Sequence, residues 1–252
     1  MQCPAAVQRA GQRGGLNAMF WAAIRDNVRQ LGVVEGLLYA VDRVLRGLSR
    51  DRVRLVRYLL VAQPVPPEPA SGLRPSTASP VREVGATDPV VRQFPRPPVV
   101  IAQRFEKGGR CLVAEVRGGF AGYLWLAFDG YDEDEVRCRY DLAAPASSVW
   151  DFDVFVAPEF RMGRTFARLW DAANRELRAR GTEWSYSRIS TFNPGSMAAH
   201  RRMGLRGLFT ATFVCLGPFQ LALFGTAPFV HMGWSAKSRP VIRLKAPPED
   251  GA

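Results

Sequence analysis

Between Pro158 and Gly204 the chain passes from a strand into a tight turn, a helix, a second strand and a short loop with a helix of its own. That order constrains the fold more than any single residue does. The turn Pro158-Glu159-Phe160-Arg161-Met162-Gly163-Arg164 directly precedes Phe166, Leu169, Trp170, Ala173 and Leu177, an apolar series at helical spacing that stops at Gly181. A helix is therefore expected to open where the turn closes. Its first amide N–H groups have no partner inside the helix and lie at the positive end of its dipole, so the turn suits an anion such as a pyrophosphate. Arg161 and Arg164 add cationic side chains at the same place.

The flanking segments read as a sheet. Cys111 to Val116, the turn at Arg117-Gly118-Gly119 and Phe120 to Phe128 predict a β-hairpin. Val149 to Val156 predicts the strand before the anion turn, and Trp184 to Ser190 the strand after the helix. Leu208 to Leu216 and Phe219 to Phe224 predict a second hairpin across Gly217-Pro218. The expected fold class is α/β or α+β, a mixed and mostly antiparallel central sheet flanked by helices.

Ahead of this core the chain changes character twice. Residues 1–15 are small and polar and are expected to be disordered. Over residues 16–50 the apolar residues Phe20, Ile24, Val28, Leu31, Leu38, Val41, Leu45 and Leu48 recur at helical steps, with Arg25, Arg29, Arg43 and Arg46 on other faces. This predicts an amphipathic helix, broken near Gly32 or Gly36. Such a helix packs on its own domain or on a second copy to make a homodimer, or it lies on an anionic membrane surface through residues 20–48. Val53 to Val61 predicts a strand, and the stretch from Pro64 to Pro98 holds 10 of the 19 prolines, which predicts loop. Val99 to Lys107 predicts a short helix. The domain proper is expected over 51–230, with a tail over 231–252.

Composition removes several classes of function. The net charge of +11 comes from 31 arginines and only three lysines, and residues 161–252 are basic while residues 101–160 carry a net −5. No zinc-finger spacing, RNP-like aromatic motif or lysine-rich tail accompanies it, which argues against nucleic acid as the partner. A basic half that begins at the anion turn suits a coenzyme with several phosphates. Cys3, Cys111, Cys138 and Cys215 form no CxxC pair, so neither a metal site nor a disulfide framework is expected. With no signal-peptide pattern and no apolar run long enough to span a bilayer, the expected compartment is the cytoplasm, with peripheral membrane contact through the first helix as the variant.

The turn and its helix, followed by Asn193, Ser196 three residues on, His200 seven on and Gly204 eleven on, resemble the GNAT family of acetyl-CoA-dependent N-acyltransferases. The likeness covers roughly Leu112 to Phe224. The family's pyrophosphate turn reads Arg/Gln-x-x-Gly-x-Gly/Ala. Counted from Arg161, this sequence carries Arg164 and Phe166 at the two small positions; counted from Phe160, it carries Gly163 and Thr165. The resemblance implies acetyl-CoA or another acyl-CoA as co-substrate and an amine as acceptor. It also implies that the strands on either side of the helix splay apart to admit the pantetheine arm, held by the backbone of Phe155 and Val156. Backbone N–H groups from Arg161 through Met162, Gly163, Arg164 and Thr165 to Phe166 would hold the pyrophosphate. Asn193 and Ser196 would contact the coenzyme arm, unless Asn193 serves only as a turn residue. His200 stands where many members carry a tyrosine that protonates the departing thiolate, a task open to imidazole; the alternative is local packing.

The residues themselves nominate a base. If Trp150-Asp151-Phe152-Asp153-Val154 alternates as a strand, Asp151 and Asp153 share a face and raise one another's pKa, or else they bind arginine or backbone. The acidic run from Asp129 to Glu135 is a solvated loop or rims a site for a cationic amine. The leading expectation is thus an N-acyltransferase in which the amine attacks the thioester directly. The second is a non-catalytic module that binds acyl-CoA or a protein partner.

Overall fold

The computed structural model describes residue 29 and residues 31–68, 71–73, 76–235 and 237–247. In chain order the described residues form α1 (Val33–Ser49), β1 (Val53–Pro64), β2 (Val81–Val84), α2 (Pro98–Glu106), β3 (Arg110–Val116), β4 (Gly119–Ala127), β5 (Tyr131–Asp132), β6 (Arg139–Leu142) and β7 (Ser148–Val156). There follow α3 (Thr165–Ala179), β8 (Trp184–Ser190), α4 (Pro194–Arg202), β9 (Arg206–Leu216), β10 (Phe219–Phe224), β11 (Val230–Gly233) and β12 (Val241–Leu244). The architecture is mixed α/β, and the strand pairs are mostly antiparallel. The described residues divide into two compact units, one drawn from Met1–Leu59, Ile189–Ala198 and Thr210–Ser238, the other from Leu60–Arg188, Ala199–Phe209 and Arg239–Ala252.

Alternation builds the core of the second unit. Along β3 and β4, Leu112, Ala114, Leu124 and Leu126 face one way and meet Leu169, Trp170, Ala173 and Leu177 of α3. Cys111, Val113, Tyr123 and Trp125 face the other way and meet Val90, Phe94 and Ile101. A sheet with the order β8-β7-β4-β3-β2 therefore lies between α3 and α2. Leu124, Leu169 and Leu177 are fully buried, and each such side chain stabilises the fold by about 1.5–3 kcal/mol. A small second sheet of order β12-β6-β5 stacks Tyr131 and Tyr140 on Trp150, with ring centroids 5.3 and 4.8 Å away. The tail expected over 231–252 thus carries strand β12, parallel to β6, and the proline-rich stretch carries β2, antiparallel to β3.

Two irregularities shape the outer half of β7. Trp125 pairs with Phe152 and Tyr123 with Phe155, so Asp153 and Val154 together face Leu124 and form a bulge. Asp153 takes the left-handed conformation, with φ 47°. Opposite, Gly122 pairs with Val156, and a Cβ there would overlap the Phe155 carbonyl oxygen, so only glycine lets β4 come this close.

In the first unit α1 starts after Gly32, whose φ of 85° makes it the break, while Gly36 lies inside the helix. The expected helical series from Phe20 to Val28, like the expected disorder over 1–15, lies outside the described residues. Polar bonds fix α1 to β1: Asp42 accepts from the Leu55 N–H at 2.8 Å, and Glu35 accepts from Arg57 Nε at 2.9 Å. Arg57 also donates to Thr212 Oγ1 of β9 at 2.7 Å. Strands β9, β10 and β11 continue as two antiparallel hairpins. Among the described residues no helix is long and apolar enough to cross a membrane.

Candidate functional site

The site grows from the place where β7 and β8 part. These strands pair in parallel over Ser148 to Trp150 and Trp184 to Tyr186, and the recorded pairing ends there. From Asp151 to Val156, β7 is left with β4 on one side only. The strand then runs through a short 3₁₀ turn, Pro158–Phe160, into α3. No side chain caps α3, and its first bond runs from Arg168 N–H to Arg164 O, so the amides of Thr165, Phe166 and Ala167 have no intrahelical acceptor.

The side chains of the turn divide into holders and free groups. Arg161 folds back and donates from Nε to the Val156 carbonyl at 3.1 Å, tying the turn to the end of β7. Gly163 donates its N–H to Phe160 O at 3.0 Å. Met162 is fully exposed and Arg164 is exposed, whereas Thr165 is buried and Phe166 packs into the core beside α3. Phe155 stacks on Phe120, and Val156 packs against the cluster under α3. The fork, the backbone of Phe155 and Val156, and the turn from Arg161 to Phe166 are therefore continuous in one unit.

Asp151 sits at the apex of the fork and is 2% exposed. Burial pushes its carboxyl up to about 7, against the hydroxyl of Ser185, which donates to Oδ2 at 2.7 Å and pulls the other way. Asp153 does not join it. The expected shared face fails because the bulge shifts the alternation, and Asp153 instead takes bonds from Arg96 Nε at 2.9 Å, from Arg104 and from Tyr123 Oη at 2.9 Å. Burial raises the Asp153 carboxyl, but the Arg96 and Arg104 guanidiniums outweigh it and hold the group below the usual carboxylate range. Asp153 is thus a permanently ionised anchor and is corrected from base to structural partner.

His200 is also corrected. It is 6% exposed, its Nδ1 lies 3.3 Å from Gln63 Oε1, and the rings of Phe166 and Trp170 meet it edge-on at 6.4 and 5.9 Å. Burial pushes the imidazole down to about 4, so it is neutral at pH 7 and is no reserve of protons. Asn193 and Ser196 belong to the other unit. There Asn193 Oδ1 accepts the Ser196 N–H at 3.0 Å, which caps α4.

The acidic run is neutralised rather than open. Asp132 pairs with Arg139 at 3.0 Å and Arg239 at 2.7 Å, while Glu133 takes two bonds from Arg188, at 2.7 and 2.6 Å. Asp134 pairs with Arg104 at 3.1 Å. A net negative field for a cationic amine is therefore mostly cancelled at short range. Beside these pairs lies a cavity of about 250 Å³ whose lining includes Val100, Gln103, Lys107, Asp129, Tyr131 and Phe152. Phe152 places this cavity against β7, one residue before the bulge. The arginines that sequence reasoning missed lie 49 and 57 residues from Asp153, and no local pattern marks them.

No family model and no curated protein matches the chain. Solved structures similar to it include a conserved protein of unknown function from Staphylococcus epidermidis, 12% identical, covering 70% of this chain and 68% of that one, with a TM-score of 0.44. A tandem GNAT protein from the clavulanic acid biosynthesis pathway is 14% identical over 64% of this chain and 53% of that one, with a TM-score of 0.46. A fungal GCN5-related glucosamine N-acetyltransferase region, within a multi-domain β-N-acetylglucosaminidase, is 16% identical over 68% of this chain and 22% of that one, with a TM-score of 0.42. The chain thus spans about half of the tandem protein and under a quarter of the fungal one. These likenesses are too distant to transfer a residue or an activity.

Proposed function

We propose that this protein is a GNAT-type N-acyltransferase that moves an acetyl or other acyl group from acyl-CoA to an amine. The observation that carries the reading is the early end of the β7–β8 pairing, which leaves β7 from Asp151 to Val156 leading straight into the uncapped, arginine-bearing start of α3. An extended pantetheine arm fits along such a strand, and the pyrophosphate fits at the helix start, where unpartnered amides and Arg164 supply donors and charge.

In this reading the amine nitrogen attacks the thioester carbonyl carbon. The C–N bond forms, the C–S bond breaks, and the electron pair leaves with the coenzyme thiolate. Asp151 takes the amine's proton, a task suited to a buried carboxyl whose pKa stands at about 7. His200, neutral and bonded to Gln63, stays outside the proton path. The acceptor reaches β7 from the cavity beside Phe152. Orientation of the two substrates supplies most of the rate, since no protein nucleophile is needed.

A second reading, a module that binds acyl-CoA without turnover, is favoured by Arg164 and Phe166 at the positions where the family's turn carries small residues. Release of the free coenzyme thiol separates the two. Purified protein with acetyl-CoA and a panel of spermidine, glucosamine and a lysine peptide is expected to release thiol in proportion to at least one amine. Binding of acetyl-CoA with no release above the amine-free control would establish the second reading.

A further inference from the structure

We propose that the first unit docks a second copy of this chain through an apolar surface formed by α1 and the adjoining sheet face. Helix α1 is turned inside out. It buries Gly36 and Asp42 and holds Glu35 and Arg46 in ion pairs, while Val33, Val34, Leu37, Val41, Val44 and Leu48 are 42–82% exposed. At 3.6 residues per turn those apolar side chains fall within an arc of about 100°, and no charged residue interrupts it. A surface helix normally points such an arc at the core.

The arc does not stand alone. Arg57 joins Glu35 of α1 to Thr212, so α1 rests on the sheet face that carries Thr212. Leu223 pairs with Thr212 and Val230, and Leu221 pairs with Val214 and Met232, which puts these side chains on that same face. Leu223, Val230 and Met232 are 42–65% exposed, and Leu216 is 53% exposed. The α1 arc by itself compares with the ~300–600 Å² of the largest apolar patch on a typical monomer. With the sheet residues added, the surface approaches the ~800 Å² that each partner contributes to a stable interface.

The chemistry selects the occupant. The arc is flanked by Ala40 and Gly47 on one side and by Leu38 and Leu45 on the other, not by cations, so it lacks the rim of positive charge by which a helix lies on anionic lipid. Small flanking residues let another helix approach closely, and a surface of valine and leucine is complementary to itself, as a two-fold interface requires.

Sedimentation of the full chain tests this, alongside Val41→Glu combined with Val44→Glu. The parent is expected at twice the 27.9 kDa chain mass and the double variant at that mass, with unchanged far-ultraviolet circular dichroism. A parent that stays at single-chain mass at all concentrations overturns the proposal, as does a double variant that remains dimeric. Flotation of a monomeric parent with phosphatidylserine vesicles would overturn it in favour of lipid. Should the double variant misfold, Val41→Cys in a Cys3→Ser background gives an independent reading. Residue 41 lies near the middle of the arc, so an antiparallel pair of α1 helices brings the two thiols within disulfide reach, and mild oxidation is expected to give a covalent dimer. A thiol that is blocked from maleimide yet forms no dimer would mean the chain covers its own stripe, which also overturns the proposal.

Discussion

Asp151→Asn is expected to unfold at a higher temperature than the parent at pH 8, and to lose that advantage as the pH falls toward 4. The folded protein holds this carboxyl at about 7 against an ordinary 3.8, because ionising it leaves charge in a buried fork. Between those values the folded state binds more protons than the unfolded state, so stability declines as pH rises through the interval. At 1.36 kcal/mol per unit the decline amounts to roughly 4 kcal/mol. Asparagine carries no charge and can still accept from Ser185, so the slope disappears in the variant. His200 has the opposite slope, since its depressed pKa of about 4 makes stability fall as pH drops below 6.5. The two nearly cancel in the parent, and only the variant exposes the Asp151 contribution. Activity should move the other way. With Asp151 as base, kcat/KM rises through pH 7 in the parent, and Asp151→Asn lowers it by about 10²–10⁴-fold with a flat profile. Thermal melts at pH 5 and 8 together with pH–rate curves check both halves. An unchanged rate profile would remove Asp151 from the chemistry even if the melting shift appears.

Asp153→Ala is expected to destabilise the protein by about 3–5 kcal/mol, the range found when a buried ion pair loses one partner. Most of that loss comes from Arg104, whose side chain is 9% exposed and whose guanidinium lies over the rings of Trp125 and Phe152 at 5.6 and 5.3 Å. Arg96 is 48% exposed and contributes little, because water screens it. Asp153→Asn should lose less, since asparagine tolerates a positive φ and keeps an acceptor for Arg104. Combining Asp153→Ala with Arg104→Met is expected to recover part of the loss, because no uncompensated charge is then left inside. Urea unfolding of the set gives the comparison. Equal midpoints for parent and Asp153→Ala would contradict the ion cluster as the anchor of the bulge.

Local periodicity made much of the fold legible. Trp184–Ser190 and Phe219–Phe224 have the ends that the sequence predicts, and α3 spans the apolar series from Phe166 to Leu177. What local pattern omits is register. The bulge at Asp153 exists only because β4 and β7 pair as they do, so strict alternation put Asp151 and Asp153 on one face when they lie among different partners. Strands β5, β6 and β12 are two to four residues long, too short for alternation to mark them, and hold together through partners far along the chain. The acidic run from Asp129 to Glu135 reads as a negative patch until Arg104, Arg139, Arg188 and Arg239 arrive from elsewhere in the chain. Amphipathicity located α1 but not its orientation, because a period gives two faces and only Arg57, Leu55 and Thr212 decide which one turns inward.

Calorimetric titration with acetyl-CoA, for the parent and for Arg164→Glu, tests the central claim most directly. Arg164 is exposed at the start of α3, so its reversal should leave the fold intact while placing a negative charge where the pyrophosphate is expected. Binding by the parent with a micromolar dissociation constant, weakened at least tenfold in the variant, is the predicted result, a difference of about 1.4 kcal/mol or more. Equal binding by both proteins, or none by the parent to acetyl-CoA or to longer acyl-CoAs, would contradict it.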